Sequence, residues 1–222
     1  MKQIFRSLFY GLVSASVPIF LIMTAIRLLV TPVYPQVEYR MPYFPPDTYG
    51  FSLEERLKWS QISIEYLRNS ADISFLADQR LEDGSPLYNE RELSHMLDVK
   101  ILLNKMIQAW VMLFCTYLIL FILAWRKSWL RGLLGAVGRG GWWTIGLIAV
   151  VLGAVAVSFN GLFTAFHRLF FQGDTWLFLY SDTLIRLFPI PFWRDAFILM
   201  GLFTILAAAF LIVLGNKARY RG

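Results

Sequence analysis

The chain has 222 residues, 57 % of them hydrophobic, and a formal net charge of +6 at pH 7. It contains four nearly uncharged apolar runs of about 20 residues each, which exclude an ordinary soluble domain and predict four transmembrane helices. Basic residues flank these runs, so the positive charge indicates membrane orientation, and we expect no nucleic-acid partner.

The first apolar run extends from residue 8 to residue 30 and carries a single charge, Arg27. Two basic residues precede it, as in a signal peptide, but the run is longer than a typical cleavable core and no A-x-A-like site follows it. We therefore predict an uncleaved transmembrane helix over residues 1–30, in which Pro18 is a candidate kink.

Residues 31–100 hold most of the acidic side chains of the chain, a composition unlike that of the other polar segments. The lead-in from residue 31 to residue 51 is rich in proline and aromatic residues, which favours an extended, irregular segment over a helix. After this lead-in, helical patterns return, and we predict that residues 31–100 form a small extracellular cap of two or three helices.

Two capping-box signatures mark predicted helix starts in the cap. Ser52 is followed three residues later by Glu55, and Asn89 is followed three residues later by Glu92. The sequence LEDGSP at residues 81–86 predicts a turn before the second start. Because neither glycine nor proline occurs between residue 89 and residue 125, we expect the second helix to continue into the next apolar run.

The rest of the chain alternates apolar runs with short polar segments. Residues 164–195 are too charged, and too interrupted by Pro189 and Pro191, to span a membrane, which favours an interfacial or re-entrant segment. The predicted order is transmembrane helix two at 101–126, a cytoplasmic loop at 127–141, transmembrane helix three at 142–163, the outer segment at 164–195, transmembrane helix four at 196–215 and a cytoplasmic tail at 216–222.

Charge predicts the orientation of these segments. The segments before the first helix, between the second and third, and after the fourth carry Lys or Arg and no Asp or Glu. The positive-inside rule therefore places both termini in the cytoplasm and the cap outside. The single cysteine, Cys115, falls within the second helix, where we expect a small packing residue with no disulfide or metal role.

The chain has only two histidines, His95 and His167. The predicted topology places both on the outer side of the membrane at a similar depth, so they could be neighbours despite their separation in sequence. Ionisable groups at membrane depth are costly and often functional. The alternatives are an exposed helix face with incidental ion pairs for His95 and an interfacial aromatic belt for His167.

Charged residues near the histidines are candidate supporting groups. Glu92 and Asp98 lie three residues before and after His95, where a carboxylate could fix the imidazole tautomer and raise its basicity. Arg168 and Asp174 supply opposite charges near His167. A Glu-x-x-His pattern also resembles half of a bundle metal site, but two histidines are too few for the usual three or four ligands, so we predict no metal.

Three stretches of this sequence resemble the bacterial lipoprotein intramolecular transacylases: YRMPYFPPDTYGFSLEERLKWSQISIEYL, YNERELSHMLDVKIL and FHRLFFQGDTWLF with the later LIRLFPIPFW. The resemblance extends from Tyr39 to about Trp193. It implies a membrane enzyme of the bacterial cytoplasmic membrane with four transmembrane helices, an extracellular cap and His95 and His167 as the catalytic residues. It implies no cofactor, and we expect a monomer.

The reaction implied by this resemblance is acyl transfer within one diacylated lipoprotein. The sn-2 acyl chain would move to the α-amino group of the N-terminal cysteine, with the two imidazoles as general base and general acid. We expect the membrane lipid and the lipoprotein to be the partners. The substrate pocket is expected to include the following side chains: Arg27, Tyr49, Asn160, Phe166, Phe171 and Trp176.

Two other functions fit the same residues. The chain could be a non-catalytic membrane protein whose cap binds a lipid or a protein, with histidines that are structural or sense pH. It could also be a hydrolase that uses the same histidines to release the acyl chain to water. A distance of more than about 8 Å between the imidazoles would exclude a shared ester and favour the first alternative.

Overall fold

The computed structural model describes residues 2–220, so Met1 and the last two residues of the predicted tail lie outside the description. Four of its helices are long and apolar enough to cross a membrane, which confirms the prediction of an all-α integral membrane protein. In chain order the helices are α1 (Lys2–Leu29), α2 (Val33–Glu38), α3 (Leu53–Arg68), α4 (Ser74–Ala77), α5 (Glu90–Arg126), α6 (Leu130–Phe170), α7 (Thr183–Leu187) and α8 (Ile190–Tyr220).

The chain divides into two compact units. Unit 1 comprises Met1–Leu28, Met106–Val157 and Phe197–Gly222, and unit 2 comprises Leu29–Lys105 and Ser158–Ala196. Both histidines belong to unit 2, so the candidate site lies within one unit.

Unit 1 contains the apolar parts of the four long helices. Its outward side chains are apolar, as shown by Met112 and Trp125, which are 65 % and 69 % exposed. Glycines allow close helix contact, because a Cβ added at Gly138 would lie 3.1 Å from the Cα of Gly215. An apolar exterior with backbone groups satisfied inside helices is the arrangement that a bilayer requires.

Unit 2 has a hydrophobic core of its own. Helix α3 begins with the predicted capping box, in which the Ser52 Oγ accepts from the Glu55 N–H at 3.2 Å and the Glu55 carboxylate accepts from the Ser52 N–H at 2.7 Å. The predicted turn at residues 81–86 is also present and has Gly84 at φ +83°. The core side chains include Trp59, Tyr66, Leu76, Leu87, Met96 and Leu187.

The lead-in at residues 31–51 is not irregular throughout, because α2 forms a short helix within it. Pro32 precedes this helix and Pro35 lies in its first turn. The N–H groups of a first helical turn have no partner within the helix, so proline is tolerated there. The prediction overlooked this position effect and was wrong for these six residues.

Helix α6 is interrupted at Ser158, which has φ −161° and ψ 93°. The Ser158 Oγ accepts a hydrogen bond from the Gly161 N–H at 3.2 Å, as the N-cap of a new helix does. Residues 159–170 therefore form a separate helical segment, which ends three residues after His167. This break lies within the predicted third transmembrane helix at 142–163, where the sequence has no proline that would indicate it.

Candidate active site

The two histidines of the chain lie side by side in unit 2. His95 projects from the second turn of α5, and His167 lies in the last turn of α6. Their ring centroids are 5.8 Å apart, and the ring planes differ by 26°. His95 is 7 % exposed and His167 is 8 % exposed. The distance is well inside the 8 Å limit, so both imidazoles can reach one reacting group.

Aromatic rings enclose this imidazole pair. Phe171 contacts both imidazoles, with centroid distances of 4.9 Å to His95 and 5.5 Å to His167. Trp176 and Phe166 lie 5.0 and 5.6 Å from His167. These three aromatic residues were predicted to line the pocket, and the structure places each of them against an imidazole.

Two further aromatic residues, neither of them among the predicted pocket residues, also contact the imidazoles. The Phe178 ring lies 5.4 Å from the His95 ring, and the Phe163 ring lies 4.1 Å from the His167 ring. Phe163 precedes His167 by four residues, the helical spacing that brings two side chains together, so this contact could have been found from the sequence.

A backbone carbonyl fixes the tautomer of His167. Its Nδ1 lies 2.8 Å from the Phe163 carbonyl oxygen. A carbonyl can only accept, so Nδ1 carries the proton and donates it, which leaves Nε2 with a free electron pair in the neutral ring. The arrangement gives His167 the form that a general base requires.

His95 has a different environment. Its Nδ1 is buried and has no hydrogen-bond partner among the described residues. Burial among aromatic rings disfavours a charged imidazolium, and a second imidazole at 5.8 Å disfavours charge on both rings at once. The predicted carboxylate that would raise the basicity of His95 is absent, which corrects that expectation.

Glu92 binds backbone groups instead of His95. One of its carboxylate oxygens accepts from the Asn89 N–H at 2.8 Å, and the other accepts from the Leu184 N–H at 2.6 Å. In return, the Asn89 side chain accepts from the Glu92 N–H at 3.0 Å, which confirms the second predicted cap. Glu92 is 1 % exposed and joins the starts of α5 and α7. It therefore positions the helix that carries His95.

The other predicted charged residues form no hydrogen bond or ion pair with an imidazole within residues 2–220. Asp98 accepts a long hydrogen bond of 3.5 Å from the Thr175 hydroxyl. Arg168 is exposed and forms no ion pair within residues 2–220. Asp174 is also exposed, and its backbone carbonyl accepts from the Leu177 N–H at 3.1 Å.

Three predicted pocket residues have other surroundings. Tyr49 is 52 % exposed, and its ring centroid lies 5.8 Å from the Arg186 guanidinium. Asn160 is exposed near the start of the 159–170 segment. Arg27 belongs to unit 1, where its guanidinium lies 3.9 Å from the Trp110 ring centroid. A place for these three side chains in the substrate pocket stays a prediction.

The site offers acid–base chemistry in an aromatic enclosure. Two imidazoles are fewer than the three or four ligands that a transition metal usually takes, and within residues 2–220 no three His, Cys, Asp or Glu side chains converge. Two imidazoles this close together can instead both reach one substrate and move protons to and from it.

Comparison with known proteins identifies a family. Residues 11–193 match the family model described as lipoprotein intramolecular transacylase Lit. An uncharacterized protein of Aquifex aeolicus (strain VF5) is 29 % identical over 188 residues, which cover 81 % of this chain and 82 % of that protein.

Solved structures of the lipoprotein intramolecular transacylase Lit from Bacillus cereus share the fold. One has a TM-score of 0.81 at 20 % identity and covers 98 % of this chain and 97 % of its own. A structure of the same protein with a histidine replaced by alanine gives a TM-score of 0.74 at 21 % identity, covering 99 % of this chain and 96 % of its own. Since the family model matches most of its length, this chain belongs to the lipoprotein intramolecular transacylase family.

Proposed function

We propose that this protein transfers the sn-2 acyl chain of a diacylglyceryl lipoprotein to the α-amino group of the N-terminal cysteine of the same molecule. The observation that carries the proposal is the imidazole pair, with ring centroids 5.8 Å apart inside an aromatic enclosure. Family membership supports the substrate class, since the family is described by this reaction.

The number of protons to be moved fits two imidazoles. The α-ammonium group has three protons, and the product amide keeps one of them. The amine nitrogen forms a bond to the ester carbonyl carbon, and the bond from that carbon to the sn-2 glyceryl oxygen breaks. One of the two released protons ends on this glyceryl oxygen, and the other returns to water. Each imidazole can accept one proton and pass it on.

His167 is the better candidate for the first base. Its Nδ1–H is held by the Phe163 carbonyl, so the Nε2 electron pair is available to take a proton from the ammonium. An α-amino group has a pKa of about 7.7 to 8, and burial of His167 among aromatic rings disfavours the imidazolium, so this transfer is uphill and is drawn forward by attack of the freed amine. The imidazolium formed then protonates the departing glyceryl oxygen, while His95 accepts the second proton from the attacking nitrogen.

Enclosure by aromatic rings favours transfer over hydrolysis. Both imidazoles are more than nine-tenths buried, with the Phe171 ring against both of them and the Trp176 ring against His167. Water that reached the ester would compete with the amine and release a fatty acid. Holding the amine against the carbonyl without water therefore directs the acyl chain to nitrogen.

The location of the substrate suggests the orientation of the enzyme. This is a multi-pass membrane protein, and we propose that both termini are cytoplasmic, with segments 31–100 and 164–195 on the outer side of the bacterial cytoplasmic membrane. The acyl chains of the substrate would then lie in the outer leaflet and its peptide outside. We further propose that the protein works as a monomer, since both histidines come from one chain.

Mass spectrometry of a synthetic diacylated lipopeptide tests the proposal. The purified protein should move one acyl chain to the α-amine without changing the mass, and fragmentation of the product locates the chain. His95→Ala and His167→Ala should abolish the transfer. His167→Asn is the sharper variant, because its amide can still donate to the Phe163 carbonyl but cannot act as the Nε2 base.

Each alternative function has its own outcome in this assay. Loss of one fatty acid from the wild-type incubation would indicate a hydrolase. An unchanged lipopeptide, under conditions in which the protein is folded, would indicate a binding protein. Full activity of His167→Asn would contradict the assignment of His167 as a base.

A further inference from the structure

A surface groove lies on unit 2 near the imidazole pair. Its first part has a volume of about 590 Å³, and its second part, of about 480 Å³, continues toward Tyr88 and Pro86. Glu90 lines both depressions, which we together call the Glu90 groove. The other residues of the first part are Arg91, Asp174, Thr175 and Leu177.

The loop of residues 171–178 separates the Glu90 groove from the imidazole pair. Phe171, Trp176 and Phe178 of this loop contact the imidazoles. Asp174 and Leu177, which alternate with them along the loop, line the groove. A single loop thus has one set of side chains in the candidate active site and another set in the groove.

The groove is also close to the reaction centre along α5. Glu90 precedes His95 by five residues, which is about 7.5 Å along a helix axis. An extended peptide advances about 3.3 to 3.6 Å per residue. Because five residues also turn about 140° around the helix, the path runs partly around α5, and about three to five residues of substrate connect an amine at the imidazole pair with a side chain beside Glu90.

Unpaired carboxylates set the charge of the groove. Glu90 and Asp174 are exposed, and neither forms a salt bridge with another residue of the described range 2–220. The one cation of the groove, Arg91, donates from Nη1 to the Leu177 carbonyl at 3.0 Å. This bond leaves Arg91 charged, so two carboxylates against one guanidinium give the groove one net negative charge, which attracts basic side chains and repels acidic ones.

We propose that the Glu90 groove binds the peptide segment that follows the lipidated cysteine, and that it selects basic over acidic residues at about the third to sixth positions of the substrate. This inference rests on the proposed transacylase function. The α-amino group and the peptide chain are both attached to the Cα atom of the cysteine. A substrate with its amine at the imidazoles must therefore place its peptide nearby. Binding of that peptide also holds the amine in place for attack.

The test compares diacylated lipopeptides that carry Lys, Ser or Asp at positions three to six. Neutral detergent micelles are used, so that a charged peptide does not gain or lose affinity for an anionic membrane. The quantity measured is the ratio of kcat/KM for the Lys peptide to kcat/KM for the Asp peptide. For exposed ion pairs we expect a ratio of about threefold to tenfold in low salt, and a smaller ratio at high ionic strength.

Two charge-reversal variants localise the effect. Glu90→Lys should bring the ratio to one or below, because the carboxylate shared by both parts of the groove is replaced by a cation. Glu82→Lys changes the net charge equally at an exposed position that does not line the groove, and it should keep the wild-type ratio. Each ratio is measured on one preparation, so partial loss of folded enzyme cancels.

The outcomes separate this inference from the function on which it rests. Equal kcat/KM values for the Lys and Asp peptides with the wild-type enzyme would overturn the groove proposal and leave the transacylase function intact. The same is true if Glu82→Lys shifts the ratio as much as Glu90→Lys. Failure to move the acyl chain of any peptide would refute the function itself.

Discussion

A buried pair of carboxyl groups in unit 2 should make the stability of the protein depend on pH. Glu38 is 2 % exposed, its Oε1 is buried without a hydrogen-bond partner among the described residues, and when protonated its side chain can donate to the nearby Asp195 carboxylate. Within residues 2–220, Asp195 pairs with the guanidinium of Arg194 at 2.8 Å. Burial, and then the hydrogen bond and charge of Asp195, raise the pKa of Glu38 to about 7.

The raised pKa of Glu38 determines whether stability rises or falls with pH. A carboxyl group with a raised pKa in the folded state binds its proton more tightly there than in the unfolded chain. The free energy of unfolding therefore falls as the pH rises from about 4.5 to about 7, and the loss is complete above that window. A shift from 4.5 to about 7 sets an upper limit of about 3 kcal/mol, and water near the pair reduces it.

Glu38→Gln removes this ionisation and keeps a group that can donate to Asp195. We expect the variant to be more stable than the wild type at pH 8 by about 1 to 3 kcal/mol and to match it near pH 5. For a chain of this size, that corresponds to an increase in Tm of about 2 to 10 °C. Thermal unfolding in detergent at both pH values measures the difference, and Glu82→Gln, at an exposed position, is the control.

The Tm values of the wild type and of Glu38→Gln at different pH values distinguish the outcomes. Between pH 5 and pH 8, the wild-type Tm must fall relative to that of Glu38→Gln. Parallel profiles of the two proteins would refute the assignment of a proton to the Glu38–Asp195 pair. A variant that is less stable at pH 8 would show instead that the Glu38 charge stabilises the fold.

Three further predictions concern the candidate site. Glu92→Gln cannot accept from two backbone N–H groups in the same way, so we expect a loss of about 2 to 3 kcal/mol in stability, measured by thermal unfolding. Trp176→Ala exposes His167 to water, so the ratio of released fatty acid to transferred chain should rise, and an unchanged ratio in mass spectra would contradict water exclusion. Ser158→Ala removes the N-cap of the segment that carries His167 and favours a continuous helix; transfer should fall at least several-fold and recover in Ser158→Asn, and equal loss in both variants would argue against the cap.

The parts of the fold that depend on local chemistry could be predicted from the sequence. Ser52 with Glu55 and Asn89 with Glu92 lie three residues apart, so a reader of the sequence sees both partners of each cap. The closeness of His95 and His167 followed from topology alone, because both lie just beyond an apolar run on the same predicted side.

Features that depend on distant residues could not be predicted in this way. The second partner of Glu92 is the Leu184 N–H, which lies 92 residues away, and nothing local distinguishes that carboxylate from one beside His95. The short helix α2 depends on burial of Tyr34 and Glu38. The break at Ser158 depends on a non-helical backbone conformation. A proline in the sequence would indicate such a break, but a serine does not.

The hydrogen bond from His167 to a backbone carbonyl has a consequence for how this site can be altered. The acceptor belongs to the peptide group of Phe163, so no side-chain substitution deletes it, and it has no ionisation of its own. The helical geometry of residues 159–170 therefore sets the orientation of the His167 imidazole, in place of a neighbouring carboxylate. Unwinding that helical turn would turn the imidazole away without any change to either histidine, so the turn is a point where an inhibitor or a mutation could act.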